Sequence, residues 1–290
     1  INLFVACDGP IPNDLEQEKK VNSTREIIRQ NINWDCQINT LYSDLNQGCK
    51  RGVSNAITWF FNQVDEGIIL EDDCVPHQDF FSYCTELLKK YRDDDRVWSI
   101  SGSNVQEGNW RGDGSYYFGR IPQVWGWATW SKYWKNYDIN IEKWPFLKKS
   151  NFLRTIFDDP LEEQYWCNIW DKLYEKNTPD TWDYQWCFTC ISNGGLTAFP
   201  NQNLITNIGF GKDATHTTWL NEEKFSTSKL GRIIHPSFIL RDSIADEYTF
   251  NNKFGGNNIR RNLKLINRVK RKVKDYFNKV AAKINVFRTF

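Results

Sequence analysis

The sequence of 290 residues contains no methionine, no secretory signal and no apolar run long enough to cross a bilayer. These absences exclude a membrane-spanning segment within the sequence and leave no direct sign of export. Free thiols in a reducing compartment are therefore the expected state of the eight cysteines. Cys187 and Cys190 form a lone C-x-x-C pair. Because the second pair that a zinc site needs is missing, we do not expect them to hold a metal.

A large net charge is also missing, since the formal net charge is +1. Residues 258–290 nevertheless carry +10, with 11 Lys and Arg against one acid, so residues 1–257 carry −9. The apolar residues of this tail recur at helical spacing, as Ile259, Leu263, Ile266, Val269, Val273, Phe277, Val280, Ile284 and Phe287. We predict a basic amphipathic helix that binds an anionic membrane surface. The alternative is a helix docked on an acidic body, and that acidic body disfavours nucleic acid as a partner.

Strand-like and helix-like patterns alternate over the first hundred residues. The strand candidates are "LFVACD" (3–8), "QINTLYSD" (37–44), "GIIL" (67–70) and "VWSIS" (97–101). Helical patterns lie between them, and one is expected to start at Pro76, a residue common in the first turn of helices. The alternation predicts an α/β fold whose sheet is largely parallel in this half.

Acidic residues follow three of the predicted strands. In a parallel sheet, ligands bind beyond the carboxyl ends of the strands, where Asp8, Asp44 and the triplet Glu71-Asp72-Asp73 are expected. Adjacent carboxylates ~4 Å apart repel by roughly 1 kcal/mol in water and about 4 kcal/mol near a protein surface. A hard cation such as Mg²⁺ or Mn²⁺ would compensate this repulsion. The alternative for the triplet is a solvated acidic turn.

Aromatic residues make up 16% of the chain and include 14 Trp. In "DTWDYQW" (180–186), Asp183 lies among aromatic side chains that can desolvate it and raise its proton affinity. Such a carboxylate suits a general base for an attacking hydroxyl group, and an ordinary helix cap is the alternative. In "WGWATW" (125–130) we expect most rings to pack in the core. Gly126 and one flanking Trp could instead form a floor under a sugar.

The segment "NIGFGKDATHT" (207–217) combines glycines with Lys212 and His216. Glycines permit a mobile loop near a ligand. Lys212 could contact phosphate oxygens, and a neutral His216 could ligate the same metal. The alternative is an exposed or hydrogen-bonded loop histidine.

Together, and in this order, these segments resemble the bacterial-type, family-2-like nucleotide-diphospho-sugar glycosyltransferases of the GT-A fold. The resemblance spans residues 1 to about 217 and also rests on "FVACDGP" (4–10), "NQGCKRGVSNAI" (46–57), "GIILEDDCVPHQDFF" (67–81) and "SISGSN" (99–104). The arrangement is more distantly similar to the animal N-acetylglucosaminyltransferase that acts early in N-glycan branching. That enzyme also has Glu-Asp-Asp, a Trp-Asp base motif and a Gly-rich loop ending near a His.

The resemblance implies a Rossmann-like GT-A domain over residues 1–257. Its central sheet would be mostly parallel or mixed and flanked by helices, and the basic amphipathic helix 258–290 would follow. The family has a further strand before the one that carries "FVACDGP". We therefore expect the first strand of the domain to lie upstream of this chain.

The resemblance also implies roles for individual residues. Asp183 would be the catalytic base, while Asp73 and His216 would bind Mn²⁺ or Mg²⁺. The nucleotide-sugar donor would be bound by Asp8, Gly9, Asn46, Lys50, Glu71, Asp72 and Lys212. The sugar and acceptor pocket would be formed by Trp125, Gly126, Trp127, Trp182 and Trp186.

The expected reaction is a metal-dependent, inverting single displacement. It would move a sugar from a nucleotide-sugar, expected to be a UDP-sugar, to a hydroxyl of a glycan or glycolipid at the cytoplasmic face of a membrane. One alternative is a nucleotidyltransferase acting on sugar phosphates, but "CDGPIPND" lacks the Lys or Arg of a phosphate loop. The other is a non-catalytic carbohydrate-binding protein, which would bind sugar without metal or nucleotide.

Overall fold

The structure is a computed structural model that describes residues 1–209 and 226–266, together with residues 268, 270 and 273. The chain divides into two compact units, Ile1–Ser243 and Ile244–Phe290. The boundary predicted between residues 257 and 258 falls inside the second unit. All the elements of the candidate site belong to the first unit, which mixes helices with a mixed β-sheet.

Two parallel strands begin the first unit. β1 (Asn2–Cys7) pairs with β2 (Gln37–Tyr42), and α1 (Leu15–Asn31) connects them. α1 begins after Asp14, whose side chain accepts a hydrogen bond from the Gln17 backbone N–H at 3.0 Å. Arg25 on this helix donates to the backbone carbonyls of Asp8 and Ser43, at 3.2 and 2.6 Å. Its guanidinium therefore holds the carboxyl ends of both strands together, and these three predicted elements are confirmed.

A five-stranded mixed sheet forms the centre of the unit. Its strands are β3 (Glu66–Ile69), β5 (Val97–Ser101), β6 (Tyr116–Gly119), β7 (Trp127–Trp130) and β8 (Leu196–Pro200), in the order β3-β7-β5-β8-β6. Among the described residues, β5–β8 is its only parallel pairing. The prediction of a largely parallel sheet was wrong here, because β7 lies between β3 and β5 and runs antiparallel to both.

A second small sheet follows the acidic triplet. β4 (Cys74–Pro76) pairs with β9 (Ile205–Asn207), so Pro76 ends a strand and does not start a helix as predicted. α3 (Gln78–Tyr91) begins after His77, whose Nδ1 accepts a hydrogen bond from the Asp79 backbone N–H at 3.1 Å. The pairing matters for the site because it brings the residues after β9 against Asp73.

The remaining helices of the first unit pack around an aromatic core. They are α2 (Gly48–Phe61), α4 (Ser131–Trp134), α5 (Trp144–Lys149), α6 (Leu153–Ile156), α7 (Pro160–Lys176) and α8 (Asp183–Ser192). Trp127 of β7 stacks on Trp182 at 5.6 Å between ring centroids and lies 5.4 Å from Trp186 of α8. Burial of such side chains contributes roughly 1.5–3 kcal/mol each. The core between β7 and α8 therefore fixes the position of Asp183, the first residue of α8.

The second unit contains nearly all of α9 (Ser243–Asn252), and residues 256–266 are also helical. The Arg260 guanidinium lies 6.0 Å from the centroid of the Phe250 ring. Leu263 and Ile266, two members of the predicted apolar stripe, are exposed. Most of the predicted tail helix lies outside the described residues. No helix among the described residues is long and apolar enough to cross a membrane.

Candidate functional site

The acidic triplet forms the turn between β3 and β4. The backbone N–H of Cys74 donates to the Glu71 carbonyl at 3.0 Å and closes this turn. Asp72 is exposed, whereas Glu71 and Asp73 are half-buried. The triplet is thus an acidic turn with one solvated carboxylate and two that are partly withdrawn from water.

Glu71 lies within electrostatic reach of Asp183. The pKa of Glu71 is raised to about 7, chiefly because burial disfavours its charged form. Repulsion from Asp73, Asp183 and Asp72 raises it further, and a hydrogen bond from the Trp182 side chain acts in the opposite direction. The structure therefore brings together the two acidic motifs that the sequence analysis identified separately.

The first turn of α2 lies near the same carboxylates, Glu71 and Asp183. The pKa of the Cys49 thiol is raised to about 12, first by burial and then by the negative charges of Glu71, Asp183 and Asp180. Cys49 is therefore a neutral thiol beside the carboxylates. The resemblance implied that residues 46–51, which include Cys49, line the nucleotide pocket, but it gave this thiol no role of its own.

Asp180 links the first turn of α2 to the segment that carries Asp183. Its carboxylate accepts hydrogen bonds from the backbone N–H groups of Cys49 and Lys50, at 3.0 and 3.3 Å, across 131 and 130 residues of sequence. It caps α2 in place of the N-cap residue Gln47, whose side chain makes no hydrogen bond to the backbone of the first turn. At Gly48, with φ +73°, a Cβ atom would lie 2.7 Å from a carboxylate oxygen of Asp180. Any residue other than glycine at position 48 would require the Asp180 carboxylate to move. The cap joins residues about 130 positions apart, so no local sequence pattern could have indicated it.

Asp183 stands at the start of α8, held by a hydrogen bond from the Thr181 hydroxyl. The hydroxyl groups of three tyrosines lie close enough to interact with its charge. Burial raises the pKa of Tyr165 to about 12, and the charge of Asp183 adds to the rise. Burial and Asp183 also raise the pKa values of Tyr137 and Tyr184. Tyr184 belongs to the "DTWDYQW" motif whose aromatic residues were expected around this carboxylate, whereas Tyr137 and Tyr165 were missed by sequence reasoning.

Asp73 lies directly against the end of β9. Its carbonyl accepts a hydrogen bond from the Ile208 backbone N–H at 2.8 Å. A Cβ atom at Gly209 would lie 2.3 Å from Oδ2 of Asp73, so this position requires a residue without a side chain. Lys212 and His216, the predicted phosphate and metal contacts, lie outside the described residues.

Asp8 and Gly9 organise the loop that precedes α2. Both carboxylate oxygens of Asp8 lie 3.0 Å from the backbone nitrogen of Gln47, which donates to them. A Cβ atom at Gly9 would lie 2.5 Å from the backbone nitrogen of Leu45, so the two backbones approach closely here. The predicted nucleobase contact Asp8 thus holds the loop against the end of β1.

Two further predicted donor contacts also have partners within the protein. The Asn46 side-chain oxygen accepts a hydrogen bond from the Gly48 backbone N–H at 3.2 Å. The buried ammonium of Lys50 donates to the side-chain oxygen of Asn177, and burial lowers its pKa. Lys50 therefore stabilises the junction between α2 and the end of α7, away from any open surface.

The predicted sugar floor lies mostly inside the core. Trp127, Trp182 and Trp186 are buried, so their rings pack in the core and are not open to a sugar. Gly126 adopts φ +61°, and a Cβ atom there would lie 2.4 Å from Cδ1 of Ile205. The half-buried Trp125 is the one predicted ring that retains an appreciably solvent-exposed surface.

Carboxylate oxygens, the ligands that Mg²⁺ and Mn²⁺ prefer, are present in Glu71, Asp72, Asp73 and Asp183. Within the described parts of the chain, no three His, Cys, Asp or Glu residues are already grouped as a metal site. The donor set nevertheless suits a hard cation. Since like-charge repulsion contributes to the raised pKa of Glu71, a cation beside it would lower the energy of the charged form.

No protein-family model matches the chain, and no curated protein matches it. What the site does must be inferred from its own residues.

The raised pKa of Glu71 predicts a pH-dependent stability. A carboxyl group whose pKa rises from 4.5 to about 7 on folding is more protonated in the folded state between those values. The free energy of unfolding therefore falls as pH rises through this window, by up to about 3 kcal/mol from this group. In metal-free buffer, Glu71→Gln should flatten that fall.

Urea midpoints measured between acid and mildly alkaline pH would show the effect. Glu18→Gln, on an exposed part of α1, is the matched control and should retain the wild-type dependence. An unchanged slope in Glu71→Gln would contradict the prediction.

Proposed function

We propose that the first unit is a metal-dependent, inverting glycosyltransferase of the GT-A type. It transfers a sugar from a nucleotide-sugar, of which a UDP-sugar is the first candidate, to a hydroxyl group of a glycan or glycolipid. The observation that carries this proposal is the convergence of the acidic turn, the first turn of α2 and the carboxylate of Asp183. The predicted basic helix 258–290 would keep the enzyme at the cytoplasmic face of a membrane.

The occupied N-terminus of α2 supports the need for a metal. Helix N-termini often bind phosphate, but the Asp180 carboxylate already fills this one. The ammonium of Lys50 is also engaged, by Asn177. Neither this helix N-terminus nor the ammonium of Lys50 is therefore open to a diphosphate. Asp73, with Glu71 and Asp72 beside it, would hold Mn²⁺ or Mg²⁺, which neutralises the charge that develops on the nucleoside diphosphate as it leaves.

Asp183 would act as the general base. An inverting displacement needs a base that takes the proton of the acceptor hydroxyl as the new bond forms. The Thr181 hydroxyl and the start of α8 hold this carboxylate in place. The carboxylate is half-buried, and its charge acts on the nearby phenol groups of Tyr137, Tyr165 and Tyr184.

Both alternatives are less well supported by the geometry. A carbohydrate-binding protein would present aromatic faces, but Trp127, Trp182 and Trp186 lie in the core. A nucleotidyltransferase would need a basic phosphate loop near β1. Lys50, the cation nearest to that position in the predicted motif, donates to Asn177 instead.

A thermal-shift screen of nucleotide-sugars tests the proposal. The correct donor should stabilise the protein by about 2.7 kcal/mol at a hundredfold excess over its dissociation constant, which is a shift of several degrees. The shift should require Mn²⁺ or Mg²⁺ and vanish on chelation. Stabilisation by free sugars without metal would favour the binding-protein alternative. The absence of a shift with every nucleotide-sugar would contradict the proposal.

A further inference from the structure

Two phenylalanines of the first unit lie on the surface among basic residues. Phe146 of α5 is 77% exposed, and Phe152, just before α6, is 65% exposed. Residues 143–157 contain four cations and no acid. We call Lys143, Phe146, Lys149, Phe152 and Arg154 the basic aromatic surface.

The fold does not need these two rings. Other residues anchor the segment: the buried Trp144 packs 5.3 Å from Trp170 between ring centroids, and its indole N–H donates to Asp171 at 3.0 Å. Leu153 and Phe157 are buried as well. Since buried apolar residues already attach the segment to α7, Phe146 and Phe152 are not needed for this packing.

The charges around the exposed rings are largely uncompensated. Lys148 forms an ion pair with Asp171 at 2.7 Å. Lys143, Lys149 and Arg154 are exposed, and none of them forms an ion pair with any other part of the chain that the structure describes. Lys143 and Lys149 stand three residues before and three residues after Phe146, whereas Arg154 also borders a pocket lined by Asp158 and Glu163.

We propose that the basic aromatic surface docks on an anionic lipid bilayer. Phe146 and Phe152 enter the boundary between headgroups and acyl chains, while Lys143, Lys149 and Arg154 bind lipid phosphates. Interfacial binding combines these two residue types, because burial of apolar rings and attraction to anionic lipids add. This inference concerns a surface distinct from the predicted tail helix and does not depend on the proposed glycosyl transfer.

Other partners fit this surface less well. Lysine is depleted from protein–protein interfaces, whereas here it surrounds the apolar rings. A nucleic-acid duplex would supply phosphates for the cations, but it offers no apolar layer that would bury Phe146 and Phe152. A bilayer requires neither a deep groove nor a close fit.

Vesicle sedimentation of the full chain, combined with hydrogen exchange, tests the proposal. Vesicles of phosphatidylcholine mixed with phosphatidylglycerol are compared with phosphatidylcholine alone. Only the anionic vesicles should bind the protein and slow amide exchange in residues 143–157. Phe146→Ser/Phe152→Ser and Lys149→Glu/Arg154→Glu should each lower the partition coefficient by about tenfold. The replaced side chains are exposed, so melting temperatures should change little.

Matched controls distinguish binding by this surface from nonspecific binding of exposed apolar or basic side chains to vesicles. Phe238→Ser/Leu240→Ser removes two side chains that are exposed to a similar degree. Lys19→Glu/Lys89→Glu makes the same change in net charge elsewhere in the unit. Each control should stay within about twofold of the wild type, since its residues lie outside the surface.

Three results would overturn the proposal. The first is an equal loss of binding in the controls. The second is vesicle binding without slowed exchange in 143–157, which would assign the binding to another segment. The third is an effect of the variants on self-association or on binding of single-stranded DNA, with vesicle binding unchanged.

Discussion

Asp183→Asn is expected to lower the rate of sugar transfer by roughly 10³-fold, within the range of 10² to 10⁴ that general bases contribute. The amide keeps the size of the side chain and can still accept the hydrogen bond from Thr181. It cannot take up the proton of an attacking hydroxyl group. Affinity for the nucleotide-sugar should therefore change by less than about threefold, and initial rates measured beside thermal shifts would separate the two effects.

Asp35→Asn is the matched control, because it makes the same chemical change at an exposed position. It should retain wild-type turnover. A rate for Asp183→Asn within tenfold of the wild type would remove this residue as the base. A large drop in melting temperature would instead identify Asp183 as an ordinary helix cap, the alternative that the sequence left open.

Asp73→Ala is expected to weaken Mn²⁺-dependent nucleotide binding by at least about 100-fold, because it removes the carboxylate that we propose as a direct ligand of the cation. Calorimetric titration of UDP with and without Mn²⁺ would measure the loss. The metal-independent part of the affinity should stay. Tight binding that still depends on metal in this variant would refute the assignment of Asp73.

Gly209→Ala should weaken the same binding while Asp73 remains present. Its Cβ atom would lie 2.3 Å from Oδ2 of Asp73, so the carboxylate or β9 must move. Gly231→Ala is the control, because its φ of +73° imposes backbone strain in open space. That control should lose about 1 kcal/mol of stability and keep metal-dependent binding. Equal effects of both variants on binding would show that a general loss of stability, and not the collision with Asp73, is responsible.

Elements with a strong local pattern were predictable from the sequence. β1, β2, β3 and β5 lie where strands were predicted, and α1 lies between the first two of them, where a helical pattern was expected. The position of β7 was not predictable. Its four residues are all buried, so they show no alternation, and its partners β3 and β5 come earlier in the chain. β4 and β9 have three residues each, too few for a periodic pattern.

Some residues of the candidate site were likewise predictable from the sequence, and others were not. The acidic turn and Asp183 could be identified from residue types and from the resemblance, and the structure brings them together. Residues that act through long-range contacts could not be identified. The resemblance implied that Lys50 contacts the nucleotide donor, but only the folded chain brings Asn177 to its ammonium. Composition also could not show which face of Trp127 or Trp182 would be covered.

The cap at Asp180 has a consequence for the order of events in the reaction. This carboxylate grips the first turn of α2 and stands three positions before Asp183. A donor that shifts the loop at residues 46–50 would therefore also displace the segment that carries Asp183, the proposed base. Loading of the nucleotide-sugar would then adjust the base before an acceptor arrives, which makes donor-first, compulsory-order kinetics the expected pattern.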